Sequence, residues 1–114
     1  MTQVSVRERV KAIQKELRDG ALTPDLTRES LVTLTALLGN VNQEVTEADL
    51  QYADVLRDCF RQEAKANRAR IEAETTPQFR RKKEAKDLQV LVTEMIRSCR
   101  AYLRSLDEEM RLSR

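Results

Sequence analysis

Apolar and small residues recur through the middle of the chain in alternating steps of three and four. A repeat of this length with no proline inside it predicts one continuous helix over about residues 28–75, which buries its stripe against other helices. Gln62 is the one polar residue on this stripe, and Gly39 and Asn40 lower helix propensity without shifting its phase. The stripe consists of Leu31, Leu34, Leu38, Val41, Val45, Ala48, Tyr52, Val55, Cys59, Gln62, Ala66, Ala69 and Ala73.

A first helix is predicted over about residues 3–19. Gly20 ends it, because a glycine just past the last periodic residue is a common helix stop, and Pro24 after Thr23 indicates a turn before the long helix. This helix is expected to fold back on the first part of the long one. Its apolar face consists of Val6, Val10, Ile13 and Leu17.

A third helix is predicted over about residues 78–112, after a break at Thr75, Thr76 and Pro77. Its stripe consists of Leu88, Val92, Met95, Cys99, Tyr102 and Leu106. In an antiparallel pair the numbers of facing residues have a constant sum, which is met by Ala66 opposite Leu88, Tyr52 opposite Tyr102 and Ala48 opposite Leu106. The predicted fold is therefore all-α: one domain over residues 1–114, with a long central helix and two antiparallel partners in a coiled-coil-like helical hairpin.

The composition favours an elongated protein that associates with itself. The chain has 114 residues, of which 35% are charged and 4% aromatic, and two helices packed side by side bury little surface. A second apolar line on the third helix, Ile96, Leu103 and Met110, has no partner in the hairpin. We interpret these three residues as a homo-oligomer interface; the alternative is that the first helix bends over and covers them.

Enzymatic and metal-dependent functions find no support in the residue types. The chain has no histidine, and its two cysteines, Cys59 and Cys99, lack the close pairing of a zinc site. We interpret both as buried, reduced thiols. No catalytic constellation, cofactor or metal site is predicted. With neither a charged-then-apolar leader nor a long apolar run, a cytoplasmic protein is expected, with no membrane partner.

The charge pattern points to a polyanion. Residues 57–86 hold ten basic and five acidic residues, and the predicted hairpin would gather them at its tip. Because phosphate contacts need only lysine and arginine, and no helix presents residues suited to base edges, single-stranded DNA is the expected ligand. Phe79 could stack on a base. The candidate nucleic-acid-binding residues are Arg61, Lys65, Arg68, Arg70, Phe79, Arg80, Arg81, Lys82, Lys83 and Lys86.

A second basic stripe runs along the third helix at Arg97, Arg100, Arg104 and Arg111. These side chains could pair with nearby Glu94, Asp107, Glu108 and Glu109, or they could contact phosphate. The pattern leaves both interpretations open.

Residues 46–112 resemble small helical phage proteins, in organisation the UvsY-type recombination mediators. The likeness lies in a tyrosine-bearing helix that turns basic over residues 65–73, a short break, and a closing helix from Ala85 onward. It implies an oligomer built through the C-terminal helix that binds single-stranded DNA, displaces single-strand binding protein and loads a RecA-like recombinase in a bacterial host cell. Carried over by position, Lys65, Arg68 and Arg70 would contact DNA.

Two other classes of function stay open. A helical protein-binding adaptor, such as a secretion chaperone or a phage inhibitor of host defence, would use the line of Ile96, Leu103 and Met110 as a groove for a partner helix. A purely structural coiled coil is the third possibility, and the concentrated basic residues count against it.

Overall fold

The computed structural model describes residues 5–20 and 22–113, and this part of the chain is helical apart from short connections. Four helices follow one another: α1 (Val6–Asp19), α2 (Pro24–Gln62), α3 (Ala66–Glu74) and α4 (Pro77–Leu112). The described residues contain no strand, and the predicted all-α fold, with a long helix packed against others, is confirmed. Within the described ranges, no helix combines the length and the apolar character that crossing a membrane requires.

Both long helices begin at a threonine followed by proline. The Leu26 N–H donates to Thr23 Oγ1 at 3.1 Å, and the Phe79 N–H donates to Thr76 Oγ1 at 3.4 Å. Each hydroxyl satisfies one of the N–H groups that a helix start leaves unpaired, and proline fits the first helical position, where no N–H is needed. The helix break predicted at residues 75–77 lies at Thr75 and Thr76, and α2 begins at Pro24, earlier than the predicted start at about residue 28.

Helix α2 continues through Gly39 and Asn40 without interruption, as the unbroken phase of the repeat predicts. The predicted continuous helix over residues 28–75 is nevertheless wrong at its far end. Helix α2 ends at Gln62, residues 63–65 are not helical, and α3 begins at Ala66. The chain therefore has four helices in the described ranges, where the repeat predicted three.

Residues 63–65 include neither glycine nor proline, so local helix propensity does not account for the break. Packing explains it. Gln62 and Ala66 are exposed, although the stripe placed both on a buried face, whereas Ala69 and Ala73 are fully buried. Interrupting the helix lets α3 turn its alanines inward independently of α2. The carboxylate of Glu63 accepts a hydrogen bond from the Lys65 N–H at 3.2 Å, so the break does not leave this amide unpaired.

Contacts between residues divide the chain into two compact units, to which α2 and α4 both contribute. Unit 1 comprises the described residues up to Asn40 and from Val90 onward. In unit 1, α1 turns its predicted apolar face inward, with Val10 fully buried. The other buried residues of this unit are Thr27, Ser30, Leu34, Leu37, Val92, Met95, Ile96 and Cys99.

Unit 2 comprises Val41–Gln89, and its core is formed mostly by small residues. Val45, Ala48 and Ala85 form one buried cluster. The other buried apolar residues of this unit are Val41, Tyr52, Ala69 and Ala73. Four of these seven side chains are alanines, which lets the helix axes approach closely.

The antiparallel register in unit 2 differs from the predicted one. Tyr52 packs on Phe79 and Ala48 on Ala85, not on the predicted Tyr102 and Leu106. The pairing along α4 is therefore displaced by about 23 residues, as the move from Tyr102 to Phe79 shows. The prediction placed the hairpin tip at Pro77, but the antiparallel segments of α2 and α4 are joined by the whole of residues 63–76, including α3.

Candidate nucleic-acid interface

Arg81, one of the candidate phosphate ligands, is bound to side chains of α2. Its Nη2 lies 2.7 Å and its Nε 2.8 Å from Glu44 Oε1, and Nη2 lies 3.7 Å from Glu47 Oε2. Its Nη1 also donates to Gln51 Oε1. The guanidinium therefore already has the acceptors that a phosphate would otherwise supply.

Lys82 and Lys86 share one carboxylate of α2. Asp49 Oδ1 lies 4.0 Å from the Lys82 ammonium and 3.7 Å from that of Lys86. The Lys82 ammonium also lies 4.5 Å from the centre of the Tyr52 ring, close enough for a cation–π contact. Three of the predicted DNA contacts on α4 are thus engaged within unit 2.

Phe79 is not available as an exposed stacking platform for a base. It is half-buried and packs against Tyr52, with ring centroids 5.4 Å apart and ring planes inclined by 48°. Burial raises the pKa of the Tyr52 phenol, and the Glu74 carboxylate acts in the same direction, while Arg70 opposes them. Tyr52 is therefore a neutral core side chain at physiological pH.

The remaining candidate cations are exposed. Lys65 is the N-cap of α3, and Arg68 and Arg70 lie in that helix. None of the three forms an ion pair with another described residue. Arg61, in the last turn of α2, lies 3.9 Å from Asp58, and both side chains are largely exposed.

Arg80 and Lys83 are exposed on α4 but have acidic neighbours. They line a hollow of about 300 Å³ together with three carboxylate side chains and three uncharged ones. The lining residues are Glu74, Thr75, Thr76, Phe79, Arg80, Lys83, Glu84 and Asp87. Because the acids outnumber the bases here, the first half of α3 is the more cationic of the two surfaces.

The predicted oligomer line on α4 is not a continuous exposed face. Ile96 is only 6% exposed and belongs to the core of unit 1, so it is not accessible to another subunit. Leu103 is half-buried, and Met110 is 60% exposed. Burial of Ile96 leaves Leu103 and Met110 as the accessible part of the predicted interface.

Unit 1 contains an apolar groove that the sequence patterns did not indicate. Its volume is about 340 Å³, and it lies between α1, the start of α2 and α4. The Tyr102 hydroxyl, at its edge, donates to the Leu22 carbonyl oxygen at 3.2 Å. The lining residues are Gln14, Leu17, Arg18, Leu22, Thr27, Glu94, Met95, Ser98, Cys99 and Tyr102. An apolar Leu22 in a connection between helices was the available signal.

The two cysteines are free, with Cys59 half-buried and Cys99 buried. Burial raises the pKa of the Cys99 thiol above its ordinary value, which keeps it protonated and poorly nucleophilic at neutral pH. Residues 5–20 and 22–113 contain no group of three or more cysteine or carboxylate side chains placed to hold a metal ion.

In the second basic stripe, only Arg97 has an ion pair within the described ranges, to Glu94 at 3.2 Å. Arg100, Arg104 and Arg111 are exposed. The pairing interpretation is thus met at one position, and no contact of the other three decides between the alternatives.

The ion pairs of α4 also had a sequence signal. Between Arg28 and Arg57 the chain has no basic residue, so Glu44, Glu47 and Asp49 have no cation within four residues on their own helix. In the observed register, these three face the cations of α4. The predicted register placed Arg81 opposite Ala73 and concealed this complementarity.

Comparison with known proteins gives no match to a family model, a curated protein or a solved structure.

Proposed function

We propose that this chain is a non-enzymatic helical protein that binds single-stranded DNA through exposed cations of unit 2. The observation that carries the proposal is the set of Lys65, Arg68 and Arg70, three exposed cations in and beside one short helix with no ion pair to a described residue. Arg80 and Lys83 add weaker contacts, because their acidic neighbours reduce the local potential.

The first half of α3 suits a phosphate backbone better than a base edge. Lysine and arginine neutralise phosphates without reading sequence, and the predicted stacking residue Phe79 packs on Tyr52 instead. Binding is therefore expected to be insensitive to sequence and strongly dependent on salt.

The experiment is a salt series of fluorescence anisotropy with a labelled single-stranded oligonucleotide of mixed sequence. Replacing Lys65, Arg68 and Arg70 with glutamine should weaken binding and reduce the log–log salt slope by about 2, because each neutralised phosphate contributes about 0.7. The matched control replaces Arg9, Lys11 and Lys15 of α1 with glutamine, which removes the same charge from unit 1.

An equal loss in the two triple variants would indicate that net charge alone attracts DNA and would contradict the α3 site. Absence of binding by the unmodified protein at low salt would remove nucleic acid from the proposal. Both variants should fold, because all six side chains are exposed. Circular dichroism checks that they do.

The resemblance of residues 46–112 to UvsY-type mediators supports a finer role. In this role the protein would load a RecA-like recombinase onto DNA coated with single-strand binding protein in a bacterial cytoplasm. Its test is a strand-exchange reaction with such a recombinase. The protein should shorten the lag caused by single-strand binding protein, and the α3 triple variant should not.

Self-association through the end of α4 is part of the same proposal. With Ile96 buried, the interface would consist of Leu103 and the exposed Met110. Light scattering should give a mass above that of one 13.2 kDa chain, and Met110→Glu should lower it. A monomer at all concentrations would contradict this part alone.

A second candidate function, binding a partner protein as a helical adaptor, is favoured by the apolar groove of unit 1. The groove volume lies at the lower end of the range for ligand sites, and Leu17, Met95 and Cys99 are among its lining residues. The occupant would be the apolar face of an amphipathic helix from the partner.

An uncharged naphthylamine dye tests the groove. It should bind at one saturable site and be displaced by a leucine-rich amphipathic peptide, but not by a peptide of the same composition in scrambled order. Ser98→Trp, at the exposed rim, should block the dye, whereas Arg100→Trp on the same helix should not. Equal dye binding by both variants would contradict the adaptor.

A further inference from the structure

Carboxylates of α2 occupy the cations that a polyanion would otherwise contact. Of the acidic residues in the base-free stretch of α2, Glu44, Glu47 and Asp49 lie opposite Arg81, Lys82 and Lys86 of α4. Three acids therefore face three bases, with two acids at Arg81 and one acid shared by the two lysines. Two members of the four-residue basic run, Arg81 and Lys82, are thus paired with acids of α2.

The contact of Arg81 with Glu44 resembles a phosphate contact in its geometry. Two nitrogens of the guanidinium, Nε and Nη2, converge on one carboxylate oxygen at 2.8 and 2.7 Å. Arginine presents the same pair of donors to a phosphate oxygen. An acid in this position competes directly with a nucleic-acid backbone.

The ion pairs are accessible enough to exchange. The side chains of Arg81, Glu44 and Asp49 are 36%, 44% and 43% exposed, and exposed pairs typically stabilise a fold by only about 0.2–1 kcal/mol. The Asp49 Oδ1 atom is itself buried and has no hydrogen-bond partner, so its attraction to the two lysines is purely electrostatic.

We propose that Glu44, Glu47 and Asp49 act as an intramolecular competitor of phosphate and keep Arg81, Lys82 and Lys86 out of DNA contact. This inference rests on the proposed function, because it concerns the affinity of the same unit for DNA. Unit 2 contains ten acidic and ten basic residues. The proposal assigns to three of these acids the role of holding three of these bases. DNA binding is then set by the cations in and beside α3, and Arg81, Lys82 and Lys86 contribute only when the carboxylates release them.

The test neutralises the three acids in the full chain with Glu44→Gln, Glu47→Gln and Asp49→Asn. Each freed cation should neutralise about one more phosphate, so the log–log salt slope for the single-stranded oligonucleotide should steepen by about 2. The affinity at low salt should rise at least tenfold. The control, Asp107→Asn, Glu108→Gln and Glu109→Gln, removes three exposed acids from unit 1 and should leave the slope unchanged.

The slope separates competition from a merely structural role. If the carboxylates only hold α2 to α4, their loss should lower the melting temperature and leave the slope unchanged or shallower. Asp49→Asn alone, which changes one exposed pair of contacts, should remain folded and steepen the slope by about 1, since it frees Lys82 and Lys86 in part.

Failure of the inference is distinguishable from failure of the proposed function. Suppose that the unmodified protein binds DNA, and that the triple acid variant and Asp49→Asn show the same salt slope as it does. Competition by the carboxylates is then overturned, while DNA binding by α3 stands. If neither the unmodified protein nor any variant binds at low salt, the proposed function itself is overturned, and the competitor with it.

Discussion

The rings of Tyr52 and Phe79 lie 5.4 Å apart and are inclined by 48°. This contact fixes the register of α2 and α4 within unit 2, because Tyr52 lies in the last third of α2 and Phe79 in the first turn of α4. The ammonium of Lys82 lies over the same tyrosine ring. One aromatic side chain thus receives both an apolar and a cationic partner.

The aromatic pair should be energetically coupled. Tyr52→Ala should lower the free energy of unfolding by about 3 kcal/mol, since Tyr52 is 8% exposed and truncating a buried aromatic leaves a cavity. A double-mutant cycle with Phe79→Ala, measured by urea denaturation, should give a coupling of about 0.5–1.5 kcal/mol. Tyr52→Phe keeps the ring and serves as the control. Strictly additive effects would contradict the observed register.

Proline at position 66 distinguishes the observed helix break from a continuous helix. Ala66 is exposed and opens α3, and Lys65 before it has φ −94° and ψ 118°, the extended conformation that a following proline requires. Ala66→Pro should therefore leave stability unchanged or raise it by up to about 1 kcal/mol. In an unbroken helix the same change would lower stability by about 3 kcal/mol. Thermal unfolding by circular dichroism decides between these values.

The two glycines should respond oppositely to alanine. A Cβ at Gly39, exposed in the middle of α2, would meet nothing within 4 Å, so Gly39→Ala should stabilise the protein by about 1 kcal/mol through helix propensity. At Gly20 the Cβ would lie 2.7 Å from the Glu16 carbonyl oxygen, and Gly20→Ala should destabilise it. Chemical denaturation of both variants checks the signs; a loss of stability at position 39 would be inconsistent with this helix.

Stability should decline in alkaline solution. Burial raises the pKa of Cys99 from its usual 9.0 and that of Tyr52 from its usual 10.0, with Glu74 adding to the rise at Tyr52. The folded state therefore holds these protons more tightly than the unfolded state. Their stabilising contribution is complete below the usual pKa values and is lost as the pH rises through the higher folded values.

Urea midpoints measured between about pH 7 and pH 11 test this expectation. The Cys99→Ala, Tyr52→Phe double variant should lose less stability over the alkaline range than the unmodified chain. Equal pH dependence of the two proteins would show that other groups cause the decline.

The parts of the fold that local chemistry determines were predictable. The Thr–Pro pairs at residues 23–24 and 76–77 start α2 and α4 because the threonine side chains bond the first amides of each helix. Gly39 does not end α2, since one exposed glycine lowers helix propensity by about 1 kcal/mol while a long buried stripe stabilises the helix.

The break at residues 63–65 could not be predicted in the same way. Glutamate, alanine and lysine are good helix formers, and the break follows from the burial of Ala69 and Ala73 within unit 2. This single omission shifted the register of α4, and the shift then placed Arg81, Lys82 and Lys86 among the free cations. Of the candidate site residues, Lys65, Arg68 and Arg70 are exposed and have no ion pair to a described residue. Phe79, Arg81, Lys82 and Lys86 are instead engaged by side chains of α2.

The turn at Thr75 and Thr76 has a kinetic consequence. Their hydroxyls donate to the carbonyl oxygens of Glu72 and Ala73 at 2.7 and 2.6 Å, contacts that span only three residues. Such a turn can form before distant parts of the chain meet, whereas the break at residues 63–65 must wait for the alanines of α3 to be buried. Folding of unit 2 is thus expected to nucleate at Thr76, so that Thr76→Ala slows refolding, whereas Ala73→Gly chiefly accelerates unfolding.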